Sequence, residues 1–204
     1  MSWIATQKTS DATNKAAVQI ALDATYRYFV WKNSTDNEIW FGRCELDGSN
    51  WITVKLRDSG YQPKYPLIKV VGAVVYYCWI EQDSVYGIYQ LWMATSNIDG
   101  TNFLPVQLTN YSSGGDIVNF DFEIPASVDI YYVWTRGSAE LYIGKSNSDG
   151  SGFSESMVAN SRNISGDGDG VFIKLTGAKL YCAWTEYGYA TLYLPRSLKE
   201  CSFS

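Results

Sequence analysis

Three features of the 204-residue sequence predict an all-β fold: four four-stranded antiparallel blades arranged as a β-propeller. An octet with a central Asp-Gly recurs as CELDGSNW at 44–51, SNIDGTNF at 96–103 and SNSDGSGF at 146–153. An aromatic tetrad precedes each octet: YFVW ending at Trp31, YYCW at Trp79 and YYVW at Trp134, with a fourth, YCAW, ending at Trp184. A third marker lies between the two, as EIWFG at 38–42, QLWMA at 90–94, ELYIG at 140–144 and TLYLP at 191–195. The copies fall roughly 50 residues apart, a period typical of short-stranded repeat units, and no segment sustains a helical apolar stripe.

Each unit reads as four strands. In the second, the first strand lies near Leu67–Val71 and Gly72-Ala73 form a tight turn, with Ala24, Ser127 and Gly177 at the matching position. The second strand runs to Trp79, the third carries Leu91-Trp92, the Asp99-Gly100 turn follows, and the fourth begins near Phe103. The predicted blades are 15–58, 65–110, 116–160 and 170–200, within one domain. The last lacks its fourth strand, and SWIATQKTSD at 2–11 resembles NWITVKLRDS at 50–59, with Trp3 matching Trp51. The N-terminal strand is therefore expected to complete the last blade and close the ring, which pairs an open sheet edge and favours a monomer over an oligomer.

Composition narrows the chemistry. Histidine is absent, which removes His-based acid–base catalysis, Ser-His-Asp triads and His metal ligands. The four cysteines form no C-x-x-C pair, and Cys78 and Cys182 sit in apolar strands as small buried residues. The net charge of -5 carries no basic cluster, so nucleic acid is not an expected partner. No apolar run approaches the roughly 20 residues of a membrane helix, and no secretory signal pattern opens the sequence, which leaves localisation unassigned. No cofactor is expected. Asn33, Asn110 and Asn163 begin Asn-x-Ser/Thr triplets, read here as ordinary loops.

The octets resemble the Asp-box of sialidase-like propellers, in which Ser, Asp, Gly and an aromatic occupy the turn between third and fourth strands. Ser96, Gly100 and Phe103 follow that order, as do Ser146, Gly150 and Phe153. The Asp stands one place closer to the aromatic, and Cys44 replaces Ser in the first copy. The resemblance implies a propeller whose Asp-boxes lie away from the catalytic face. Asp47, Gly48, Asp99, Gly100, Asp149 and Gly150 are accordingly read as structural turn residues, since Asp accepts turn N–H bonds and Gly supplies positive φ. One carboxylate per turn is too few for calcium. The single SGDGDG stretch, with Asp167 and Asp169, is the one ion-like segment, and an acidic connector is its favoured reading.

Residues repeated in every unit serve assembly, so Trp31, Trp79, Trp134 and Trp184 are assigned to packing between blades. Trp40, Trp92, Tyr142 and Tyr193 lie nearer the rim and are expected to be partly exposed. Non-repeated residues on connectors and on second-to-third-strand turns are the candidates for ligand contact. These are Tyr61, Tyr65, Tyr86, Tyr111, Arg136, Glu186 and Tyr187, with Asp83 as a polar neighbour. Aromatics beside amides and charges suit a glycan or a protein partner. The expected function is lectin-like glycan binding without catalysis, so the chain is not expected to be an enzyme. The alternatives are a protein-interaction scaffold and a propeller glycosidase. The last needs paired carboxylates such as Asp121 and Glu123 on a first strand, or a Tyr nucleophile, and for sialic acid an arginine cluster. Arg27, Arg43, Arg57, Arg136, Arg162 and Arg196 are scattered instead.

Overall fold

The computed structural model describes residues 15–33, 35–125, 129–137, 140–160, 170–176, 179–184 and 199–200, and among them every regular element is a β-strand. Sheet 1 holds β1 (Lys15–Leu22), β2 (Tyr26–Asn33), β3 (Glu38–Glu45) and β4 (Ile52–Asp58) in that order. Sheet 2 repeats the meander with β5 (Pro63–Val71), β6 (Val74–Gln82), β7 (Tyr89–Asn97) and β8 (Leu104–Gln107). Sheet 3 follows with β9 (Ile117–Glu123), β10 (Asp129–Arg136), β11 (Glu140–Asn147) and β12 (Ser154–Asn160). Sheet 4 has three described strands, β13 (Phe172–Thr176), β14 (Lys179–Ala183) and β15 (Lys199–Glu200). Among the described residues all pairings are antiparallel, and no sheet closes on itself. Residues 2–11 and 191–195 lie outside the described residues.

Side chains alternate along a strand, so each sheet has two faces, and both are apolar where neighbouring sheets cover them. One face of sheet 1 (Val30, Phe41) packs on Ile68, Tyr77 and Trp79 of sheet 2. The other face of sheet 2 (Cys78, Met93) packs on Phe122, Tyr132 and Trp134 of sheet 3. Val133 and Ile143 of sheet 3 then meet Ile173, Cys182 and Trp184 of sheet 4. This two-sided burial is why β6 is a nearly unbroken apolar run. The fourth strand β12 borders solvent and is mostly exposed.

The repeated aromatics form one stack in each of the first three sheets. Trp31 lies opposite Trp40, Trp79 opposite Trp92 and Trp134 opposite Tyr142, so each pair shares a face. Their rings are stacked, with centroids 6.4, 6.0 and 5.6 Å apart. Trp31, Trp79, Trp134 and Trp184 are buried, while Trp40, Trp92 and Tyr142 are half-buried. Phe103 and Phe153 extend the stacks of sheets 2 and 3 from the fourth-strand side. At Gly144 a Cβ would stand 2.7 Å from the Trp134 ring and 2.9 Å from Phe153.

Strand β5 starts at Pro63, earlier than the Leu67 expected from the sequence. Lys64 pairs with Ile80 before a bulge shifts the register at 65–66, and Tyr65 there adopts φ 53°. Pro63 is tolerated because it occupies the first strand position, and Pro66 because it falls within the bulge. A matching bulge in β1 places Ala17 at φ 52°.

A polar pair inside the core explains why the first octet departs from the others. The Tyr77 hydroxyl bonds Ser96 Oγ at 2.9 Å, and the Tyr132 hydroxyl bonds Ser146 Oγ at 2.9 Å. Strand pairing puts Phe29 at the corresponding place in sheet 1, opposite Gly42 as Tyr77 is opposite Ala94 and Tyr132 opposite Gly144. Phe29 has no hydroxyl to satisfy, and the serine position is Cys44, which is buried. Both positions thus differ together, Phe–Cys in sheet 1 where sheets 2 and 3 have Tyr–Ser. Phe29→Tyr alone is expected to lower stability by about 1 kcal/mol, because the new hydroxyl lacks its partner. Adding Cys44→Ser should recover roughly that amount, a coupling that a double-mutant cycle of denaturant unfolding would measure; strict additivity would reject the assignment.

Candidate functional site

The Asp-Gly turns are built alike. Asp47, Asp99 and Asp149 each accept, through Oδ1, the backbone N–H two residues on, from Ser49, Thr101 and Ser151 at 2.8, 3.0 and 2.9 Å. Gly48, Gly100 and Gly150 take φ of 87°, 82° and 85°. The second and third turns also face the preceding sheet: a Cβ at Gly100 would lie 2.8 Å from Phe41 of β3, and one at Gly150 2.8 Å from Met93 of β7. Their neighbours are thus apolar rings and a thioether, which offer a cation nothing.

The opposite end of the sheets gathers the connectors and the second-to-third-strand turns. The 108–116 connector is bonded to both sheets it joins. Gln90, fully buried at the start of β7, accepts from Tyr111 N at 2.9 Å and from Thr109 Oγ1 at 3.0 Å. Its amide donates to Tyr111 O at 2.8 Å and to Asp83 at 3.1 Å. Asp116 accepts Tyr89 N at 3.0 Å through its side chain and Gly137 N at 2.9 Å through its carbonyl. Gly114 and Gly115 pass so close to Arg136 and Gly137 that a Cβ would come within 3.0 and 3.1 Å.

This connector brings Tyr111 and Arg136 together. The Arg136 guanidinium lies 4.2 Å from the Tyr111 ring centroid and 5.2 Å from that of Tyr142, and it bonds Glu140 at 2.7 Å. The Tyr111 hydroxyl donates to Glu155 at 2.6 Å, and burial together with that carboxylate pushes its pKa well up. Tyr111, Asn110, Ser154 and Glu155 line an open cleft of about 290 Å³ between sheets 2 and 3. Tyr61, Tyr65 and Tyr86 are exposed at the same end of sheet 2, because β5 begins at Pro63 beside Glu81 and the β6–β7 turn spans 83–88. Asp83 caps that turn by accepting Val85 N and Tyr86 N at 2.8 and 2.6 Å. Glu186, Tyr187, Asp167 and Asp169 lie outside the described residues. Gln90, Asp116 and Glu155 were not anticipated; a polar Gln inside an apolar third strand is the one sequence signal that pointed to them.

A second polar group lies on the first strands. By strand pairing, Ala21, Lys69, Glu123 and Lys174 are equivalent in the four sheets. Glu123 of β9 bonds Lys69 of β5 and, at 2.7 Å, Lys174 of β13, so three sheets meet at one carboxylate. Burial alone would raise its pKa, but the bonds and charges of Lys174 and Lys69 outweigh that and hold it below its ordinary 4.5. Two residues back on the same face, Asp121 accepts Phe122 N at 2.8 Å and Ile173 N at 3.0 Å. Here burial dominates and pushes the carboxyl above the usual range. Among the described residues no group of three or more His, Cys, Asp or Glu is placed to hold a metal.

The described arginines are separately engaged. Arg57 of β4 makes two 2.7 Å bonds to Glu81 of β6 and covers Trp92 at 4.3 Å, tying sheet 1 to sheet 2. Arg43 lies over Tyr26, and Arg27 bonds the Leu46 carbonyl.

No protein-family model matches the chain, and no curated protein matches it. Solved structures do. A phage phi92 endosialidase aligns with TM-score 0.59 and 13% identity over 87% of this chain and 32% of its own. A Coprinopsis cinerea GH62 α-L-arabinofuranosidase aligns with TM-score 0.56 and 10% identity over 91% and 64%. The SapL1 lectin, in complex with alpha methyl fucoside, aligns with TM-score 0.51 and 13% identity over 82% and 56%. The chain thus spans about a third of the endosialidase and under two thirds of the other two. At these identities the likeness is one of fold, a propeller-type all-β architecture. The expectation that the chain is not an enzyme is corrected here, because the structures it resembles are mainly those of glycoside hydrolases and sialidases.

The lysine-bound carboxylate sets a pH dependence. With the folded pKa of Glu123 below 4.5, its contribution to stability is complete above that value and is lost as pH falls through the folded one. Glu123→Gln should therefore unfold at lower temperature at neutral pH and show a shallower fall in Tm on acidification from about pH 7 to about pH 3. Parallel Tm–pH curves for the two proteins would count against the ion pairs as described.

Proposed function

We propose that this chain is a carbohydrate-interacting propeller that receives a glycan on its connector end. The observation that carries the reading is the exposure of Tyr65 and Tyr86, 54% and 53%, at the end of sheet 2 where Tyr61 is also exposed. Exposed Tyr rings supply flat apolar faces with a polar tip, which suit the apolar face and hydroxyl rim of a sugar. Tyr111 and Glu155 add a hydroxyl and a carboxylate to an open cleft, with the Arg136 cation against the Tyr111 ring. An endosialidase, an arabinofuranosidase and a lectin in complex with a methyl fucoside among the similar structures support carbohydrate as the ligand class. In this reading the four sheets are four blades with the bounds 15–58, 65–110, 116–160 and 170–200. The turns at 44–51, 96–103 and 146–153 are Asp-boxes, and residues 2–11 supply the last strand of the fourth blade.

Hydrolysis of the bound glycan is a second reading, favoured by Asp121 and Glu123. They share one face of β9, and their surroundings push their pKa values in opposite directions, the pattern of an acid and its ionised partner.

Glycan-array binding followed by calorimetry tests the first reading. Tyr65→Ala and Tyr86→Ala should each weaken the best glycan about three- to tenfold, the worth of one aromatic contact. Because both rings are exposed, Tm should stay within a degree or so of wild type. Failure to bind any arrayed glycan would overturn the proposal. Chromogenic glycosides test the second: turnover by wild type that Asp121→Asn abolishes would establish it, and no turnover on any substrate would remove it.

A further inference from the structure

The three internal sheet-to-sheet interfaces all join the same two faces, which makes the two faces left over at the ends of the array complementary. Strand pairing makes Ile20, Ile68, Phe122 and Ile173 equivalent, each opposite the second residue of its aromatic tetrad. Ile68, Phe122 and Ile173 are buried because sheets 1, 2 and 3 cover them. Ile20 is 58% exposed, and Val18 and Leu22, on the same side of β1, are exposed with it. At the other end, the pairing makes Gln19, Leu67, Asp121 and Phe172 equivalent, and these sit on the face that each sheet turns to its successor. Phe172 is 64% exposed. The interface between sheets 3 and 4 shows that these two positions meet: Asp121 accepts the Ile173 N–H at 3.0 Å. Phe172 and Ile20 are the same two positions one step further on.

We propose that a second copy of this chain fills both open faces, head to tail, with sheet 4 of one copy seated on sheet 1 of the other and Phe172 against Ile20 of the partner copy. Within one chain Val18, Ile20 and Leu22 at one end and Phe172 at the other are exposed at the same time, sheet 4 is seated on sheet 3, and sheets 2 and 3 stand between it and sheet 1. An interface that joins two different faces either closes after a fixed number of copies or runs on as a filament; two copies close it with two identical seams. The seam continues an interface already present three times in the chain, and it removes from water a row of aliphatic side chains that a monomer leaves exposed. The proposal rests on the propeller arrangement above, in which successive sheets are related by one repeated step, and is independent of the glycan ligand.

Light scattering after size exclusion of the full chain should give twice the 22.9 kDa chain mass, and Ile20→Asp or Phe172→Asp should halve it. A mixture of Ile20→Cys chains with Phe172→Cys chains should form an interchain disulfide between positions 20 and 172 on oxidation, located by peptide mass spectrometry. This second assay keeps the test decisive where a charged variant misfolds. A monomeric wild type would overturn the proposal. So would an intrachain 20–172 disulfide in the doubly substituted chain, or a dimer that survives both charge substitutions and forms no 20–172 bond. Glycan binding measured on the same samples separates failure of this interface from failure of the functional reading.

Discussion

Gly100 sits against the ring of Phe41, and Gly150 against Met93, at distances that no side chain on the glycine would permit. That approach sets how closely each sheet rides on the one before it. The buried tryptophan stacks and the Tyr–Ser pairs behind the turn lie within the slab whose thickness it controls. Protein interiors tolerate few voids, so a wider spacing would empty both clusters at once. The turn aspartates hold the glycines in their left-handed conformation, and Arg43, bonded to the Ile98 carbonyl at 3.2 Å, links one turn to the sheet it rests on.

The connector end depends on that spacing. Gln90 and Asp116 can bond one loop to two sheets only if those sheets keep a fixed separation, and Arg136 reaches Tyr111 only because Gly114 leaves it room. Gln90 and Thr109, which hold the loop, are buried and satisfied, while Tyr61, Tyr65 and Tyr86 are exposed. A rigid backbone with exposed rings loses little conformational entropy when a ligand arrives. The first-strand carboxylate Glu123 works toward the same end from inside, since one ion-pair group ties three sheets and resists their splaying.

Much of the architecture was legible because it is repeated. The octets, the aromatic tetrads and the third-strand markers each report a contact made in several sheets, so their recurrence exposes them without any knowledge of the contact. The start of β5 was misjudged for the complementary reason: the bulge at Tyr65 lets the strand continue past a proline, and a bulge has no periodic signature. The candidate site was only half legible. Tyr65, Tyr86 and Tyr111 stand out as aromatic residues in polar loops, but Glu155 meets Tyr111 across 44 residues of sequence. A contact made once, between distant segments, leaves nothing to count. The expectation of a protein without enzymatic activity rested on missing histidine and missing motifs, and absence of a motif is weak ground on a fold shared with glycoside hydrolases.

The Phe29–Cys44 pair bears on how such a chain diversifies. In sheet 1 the residues at both positions differ from the Tyr–Ser pairs bonded in sheets 2 and 3, and they differ in a matched way, neither carrying a hydroxyl. Each repeat has therefore kept its own internal bookkeeping while losing resemblance to its siblings. A strand moved alone from one repeat into another would carry half of a matched pair into a setting built for a different half. The self-consistent unit is therefore the whole four-stranded repeat rather than the single strand, and likeness between repeats understates how well each interior is matched to itself.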